Sequence, residues 1–150
     1  MAEAVFRKMV KEEGLSRHIF VDSAGTGDWH ANEPPHAGTR RILDRHNISY
    51  EQIRARIIRS EDFERFDYIV CMDDRNLQDV RRLAAGRAHG RIFKLLDDVP
   101  EYNGADVPDP YYTGNFEEVY RMVDAGCRRL LERICRERDL CRVAAAGRQG

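Results

Sequence analysis

Residues 66–72, Phe-Asp-Tyr-Ile-Val-Cys-Met, are the clearest strand signal in the chain, an apolar run rich in aromatic and β-branched residues that is closed by the acidic pair Asp73-Asp74. What flanks this run decides the fold class. Residues 2–13 read as a helix, with Ala4, Val5, Met9 and Val10 along one stripe and Gly14 as its stop. Residues 18–23, His-Ile-Phe-Val-Asp-Ser, read as a buried strand ending in a polar pair, and Ala24 to Gly27 read as a flexible turn. Pro34-Pro35 break the chain before a helix at about 36–46, and 48–58 is mixed in character. Ser60-Glu61-Asp62-Phe63 reads as a helix start, with Ser60 as cap and acids in the first turn. Asp73-Asp74 cap a further helix through about residue 85, ended by Gly86 or Gly90. Residues 91–96 are another strand, and 115–138 a long helix with Phe116, Val119, Met122, Val123, Leu130, Leu131 and Ile134 on helical spacing. Strands alternating with helices predict an α/β domain whose parallel sheet is covered on both faces. Ligands of such sheets bind beyond the carboxyl ends of the strands, which puts Ser23, Trp29, Asp73 and Asp109 on one edge.

Composition narrows the function classes. A chain of 150 residues with 42% hydrophobic and 34% charged content is one ordinary globular domain. Its 25 basic and 26 acidic residues leave a net charge of −1, which calls for neither nucleic acid nor a membrane surface. The arginine-rich segment 128–142 is interleaved with Glu132, Glu137 and Asp139, the pattern of a solvated helix face. No apolar run is long enough to span a bilayer and no signal peptide is recognisable. Four cysteines in no paired spacing point to a reducing, cytoplasmic compartment. His18, His30, His36, His46 and His89 show no ligand spacing with cysteine, so neither a metal nor another cofactor is expected.

The chemistry-bearing stretch is Asp106-Val-Pro-Asp-Pro-Tyr-Tyr-Thr-Gly114. Pro108 and Pro110 hold φ near −65° and donate no hydrogen bond, so Asp109 sits on a stiff loop in front of Tyr111 and Tyr112. A carboxyl group held that way suits a general acid beside an aromatic-walled crevice, although an ordinary proline-rich turn would have the same composition.

From Met1 to about Glu132 the chain resembles the low-molecular-weight protein tyrosine phosphatase family. The resemblance is carried in order by Met1 to Arg7, Val21 to Thr26 with Trp29, Phe66 to Asp73, Asn76-Leu77, Asp106 to Gly114 and Phe116 to Val119. It implies a three-layer αβα fold with a parallel sheet of strand order 2-1-3-4. It also implies hydrolysis of phosphotyrosine through a cysteinyl-phosphate intermediate, with Asp109 as general acid and then base. By the same resemblance Ser23 supports the phosphate-binding loop, and Trp29, Asp73, Tyr111 and Tyr112 line or border the substrate crevice. On residue type alone, Ser23 and Asp73 could equally be caps, and Trp29 and Tyr112 core residues.

The family's phosphate loop, a Cys, five residues and an Arg followed by Ser-Pro, comes directly before the segment matching Met1-Ala-Glu-Ala, so neither its nucleophile nor its strand 1 is expected in these 150 residues. The domain then reads as N-terminally truncated, with a frayed tail at about 142–150, inactive as written and poorly folded alone, its sheet edges open to self-association. Two readings follow: a phosphatase whose chain here begins at an internal methionine, or a non-catalytic interaction module. A preference for phosphoarginine stays open, because the residues that separate it from phosphotyrosine lie largely in the loop. The arsenate reductases, which use extra cysteines after the third strand, fit less well: nothing follows Cys71 until Cys127. Ile53 stands where many members carry a His supporting the loop. Cys127 to Arg133 does match Cys-x5-Arg, but it has no glycine and falls inside a predicted helix, where amides are already bonded and cannot cradle an anion.

Overall fold

The computed structural model describes residues 1–26, 35–109 and 114–140. Its elements are α1 (Ala2–Glu12), α2 (Ala37–Arg45), α3 (Ser60–Arg65), β1 (Tyr68–Cys71), α4 (Asp74–Ala84), β2 (Arg91–Lys94) and α5 (Phe116–Glu137). β1, α4 and β2 form one βαβ unit, with the strands parallel and Tyr68 opposite Arg91 through Cys71 opposite Lys94.

The alternation of side chains along the strands builds the layers. Tyr68, Val70 and Met72 pack on one side, with Phe93, against the main core. Ile69 and Cys71 point the other way, with Ile92, into a smaller cluster formed with Phe63, Leu77, Val80 and Ala84. Helices α1 and α5 cover the first face; α3 and α4 cover the second. The result is a helix–sheet–helix sandwich, as the sequence predicts.

The main core follows from two amphipathic helices. In α5 the buried residues Val119, Met122, Val123, Cys127, Leu130, Leu131 and Ile134 recur at helical spacing, and the Asn115 side chain caps its start by accepting from Glu118 N at 3.2 Å. In α1, Ala4, Val5, Phe6 and Val10 are buried in the main core, and Gly14, at φ 71°, lets the chain turn back so that Leu15 is wholly buried.

Two local expectations are corrected. Residues 18–23 do not form a strand: the backbone there is irregular, and Phe20 is 70% exposed, stacked on Phe66. A strand is stable only when a neighbour pairs its backbone, and no described strand runs beside this segment. Its one sheet-like contact is the parallel bridge between Gly25 and Ile57, with Gly25 N donating to Arg56 O at 2.8 Å and Ile58 N to Gly25 O at 2.9 Å. The cap of α3 is Arg59 rather than Ser60, because the Asp62 side chain reaches back to accept from Arg59 N at 2.7 Å. The tail from residue 142 lies outside the described residues.

Candidate active site

The carboxyl ends of β1 and β2 meet at a buried lysine. Lys94 is the last residue of β2, and its ammonium donates to Asp106 Oδ1 at 3.0 Å and to Gly104 O at 2.8 Å and pairs with Asp74 Oδ1 at 3.0 Å. Three acceptors match the three N–H bonds of the ammonium. These bonds, to Asp74 first and Asp106 second, outweigh burial and raise the Lys94 pKa above its ordinary value. Asp106 Oδ1 also accepts from Asp74 N at 3.1 Å, so the first residue of the acid loop is tied to both the end of β2 and the start of α4.

The next residues continue that anchoring. Val107 is buried and its amide donates to Met72 O at 2.8 Å, just past β1. Pro108 follows with its φ fixed by the ring, and then comes Asp109, which is exposed. Its carboxyl group therefore projects only two residues beyond a backbone anchor at the carboxyl edge of the sheet.

Asp73 lies two residues past β1 and caps α4, its Oδ1 accepting from Asn76 N at 2.7 Å. Its cap role and its place beside the acid loop are compatible, since one carboxylate oxygen remains for other contacts. Ser23 is exposed, and its hydroxyl donates to the buried carboxylate of Glu3 in the first turn of α1. Glu3 is also paired with Arg7, whose guanidinium donates to Val21 O at 3.1 Å. The segment carrying Ser23 is thus pinned to the start of α1. Trp29, Tyr111 and Tyr112 lie outside the described residues.

The described cysteines are all buried. Burial, with Asp73 adding to it, pushes the Cys71 thiol up to about 11. Burial and then Asp124 push Cys127 up to about 12, so neither is a thiolate near neutral pH. Cys127 lies within α5, where Arg133 is instead engaged with Asp98 at 3.0 Å and sits 4.1 Å over the Phe93 ring. Among the described residues no group of three His, Cys, Asp or Glu could hold a metal ion, and no helix is long and apolar enough to cross a membrane.

The sequence reading named Asp73 and Asp109 and did not name Lys94 or Glu3, which the fold brings to the same edge and to the Ser23 segment. Lys94 has a legible signal: one cation inside the apolar run Ile92-Phe-Lys-Leu-Leu96, followed by Asp97, Asp98 and Asp106. Glu3 has the weaker signal of an acid on the apolar side of α1.

Residues 1–140 match the family described as low molecular weight phosphotyrosine protein phosphatase. The chain belongs to that family. It is 46% identical over 140 residues to the low molecular weight protein-tyrosine-phosphatase YfkJ of Bacillus subtilis, covering 93% of this chain and 90% of that protein. It is 40% identical over 140 residues to the low molecular weight protein-tyrosine-phosphatase PtpA of Staphylococcus epidermidis, covering 93% and 88%. The crystal structure of the Bacillus subtilis YfkJ superposes with a TM-score of 0.87, covering 91% of this chain and 86% of that one. In this member of the low molecular weight phosphatase family, β1, α4 and β2 form the helix-covered parallel sheet that the resemblance implies.

Proposed function

We propose that this chain provides the acid half of a phosphotyrosine phosphatase site, with Asp109 as general acid and base. The observation that carries the reading is the anchoring of the loop: Asp106 is held by Lys94 and Asp74, Val107 by Met72 O, and Asp109 follows immediately. A proton donor must be held at a fixed point beside the leaving group, and a short lever from a buried anchor supplies that.

The reaction proceeds in two displacements. A cysteine thiolate forms an S–P bond as the P–O bond to the tyrosine ring breaks, and Asp109 gives its proton to the departing phenolate oxygen. Asp109, now a carboxylate, takes a proton from the water that displaces the sulfur and releases phosphate. Ser23 supports the phosphate loop from the start of α1. Trp29, Tyr111 and Tyr112, with Asp73 at the border, form the crevice for the phosphotyrosine of a protein substrate.

The thiolate comes from a Cys-x5-Arg loop. The sequence holds that pattern once, at Cys127 to Arg133, where a buried, protonated thiol inside α5 has no free amides around it. The 150 residues alone are therefore expected to leave an aryl phosphate untouched, and the same chain preceded by the family's phosphate loop to hydrolyse it. An aryl phosphate assay of both forms tests this. Vanadate-sensitive turnover by the 150 residues alone would overturn the assignment of the nucleophile, and an inert loop-bearing form would overturn the phosphatase reading.

A further inference from the structure

We infer that Lys94 is a positioning residue for the acid, a clamp whose charge sets where Asp109 stands. The inference rests on the reading of Asp109 given above and deepens it. Lys94 is buried, yet its ammonium reaches two carboxylates and one carbonyl from three different parts of the chain: Asp74 at the start of α4, Gly104 in the turn after β2, and Asp106 at the start of the acid loop. Its backbone amide is held as well, donating to Asp97 Oδ2 at 3.0 Å. Asp74 and Asp106 each lie 3.0 Å from one nitrogen, so without that nitrogen two like charges would face each other across the root of the loop. Repulsion there acts on Asp106, three residues from Asp109 and next to Val107, whose amide donates to Met72 O and whose side chain packs in the main core. A buried charge with every donor matched is costly to build, and its place at the loop root explains what it does there.

Hydrogen exchange on the 150-residue chain tests the clamp without any need for activity. Lys94→Met, which keeps the length of the side chain and removes the charge, is expected to speed exchange at the Asp74 and Val107 amides by about tenfold or more, while the α5 amides keep their rates. Asp106→Asn is expected to do the same, and the double variant to exchange no faster than the worse single one, because the Lys94–Asp106 contact is the one both changes cut and the one that holds the loop root. Unchanged exchange in Lys94→Met, additive effects, loosening spread evenly over α5, or a Val107 amide already unprotected in the parent chain would each overturn the inference.

The consequence for positioning is read in the loop-bearing form. There Lys94→Met is expected to slow aryl phosphates with poor leaving groups by about tenfold and those with good leaving groups by less than about twofold, because only the former need the proton. Equal losses would reduce Lys94 to a structural residue. Asp109→Asn in that form separates the two ideas. If it shows no leaving-group dependence, the acid assignment fails, while the exchange data still decide whether Lys94 clamps the loop.

Discussion

Asp62 receives both arms of the Arg56 guanidinium, at 2.8 Å and 3.1 Å, and so joins the first turn of α3 to the bridge segment that holds Gly25. Arg56 also donates from Nε to Asp22 Oδ2 at 3.1 Å, beside Ser23. Burial by itself would raise the Asp62 pKa; the hydrogen bonds from Arg56 and from the Arg59 amide outweigh it and hold the carboxyl below its ordinary value. A lowered folded-state pKa gives stability that is fully present above the ordinary aspartate value and is lost as pH falls through the folded one. Asp62→Asn is therefore expected to cost about 2 kcal/mol at neutral pH, with the gap to the parent chain closing below about pH 4. Denaturation curves for both proteins from pH 3 to 7 check this; a gap that stays constant would remove the ion pair as its cause.

Asp109 carries the most direct chemical test. In the loop-bearing form, Asp109→Asn is expected to slow hydrolysis of poor leaving groups by about 10²–10⁴ and of good ones far less. A series of substituted phenyl phosphates measures this as a steeper dependence of kcat on leaving-group pKa. A parallel drop across the series would take Asp109 out of the acid role.

Cys71 and Cys127 are expected to be chemically quiet. At pH 8 a thiol whose pKa stands at about 11 is ionised in roughly one molecule in a thousand, and Cys127 in fewer. Neither Cys71 nor Cys127 should react with iodoacetamide in the folded chain, and both should react in denaturant. Peptide mass analysis after timed labelling decides it, and rapid native labelling of Cys127 would reopen it as a nucleophile.

Gly126 lets α5 approach the end of β2. A Cβ there would lie 2.4 Å from Leu95 Cγ and 2.9 Å from its Cδ2, and Leu95 is itself buried. Gly126→Ala gains about 1 kcal/mol of helix propensity but forces an overpacking cost of about 1–3 kcal/mol, so a net loss of about 1 kcal/mol is expected. Urea denaturation measures the sign. A more stable variant would mean that α5 and Leu95 move apart without cost.

Much of the fold was legible because local rules and tertiary packing agree. The stripe of α5, the Asp73 cap of α4, the glycine after α1 and the apolar run of β1 each state their structure within a few residues, since 3.6-residue and two-residue periods are properties of the backbone itself. The proline signal at Pro108 is local in the same way, because its ring fixes φ wherever the residue lies.

The rest depended on partners distant in sequence. Ile19-Phe20-Val21 has the composition of a strand and is not one, because strand formation needs a neighbour to accept and donate along its edge, and the sequence of the segment does not contain that neighbour. Ser60 has the residue type of a cap, but Asp62 turns back to Arg59 N with both of its oxygens also held by Arg56, a residue outside the turn. Lys94 shows the divide most plainly. The sequence by itself determined the helices and the two paired strands. Only the tertiary structure decided that a lysine in an apolar strand would gather Asp74, Gly104 and Asp106 around one charge, because electrostatic energy depends on distances through space, and those are set only when the chain has packed.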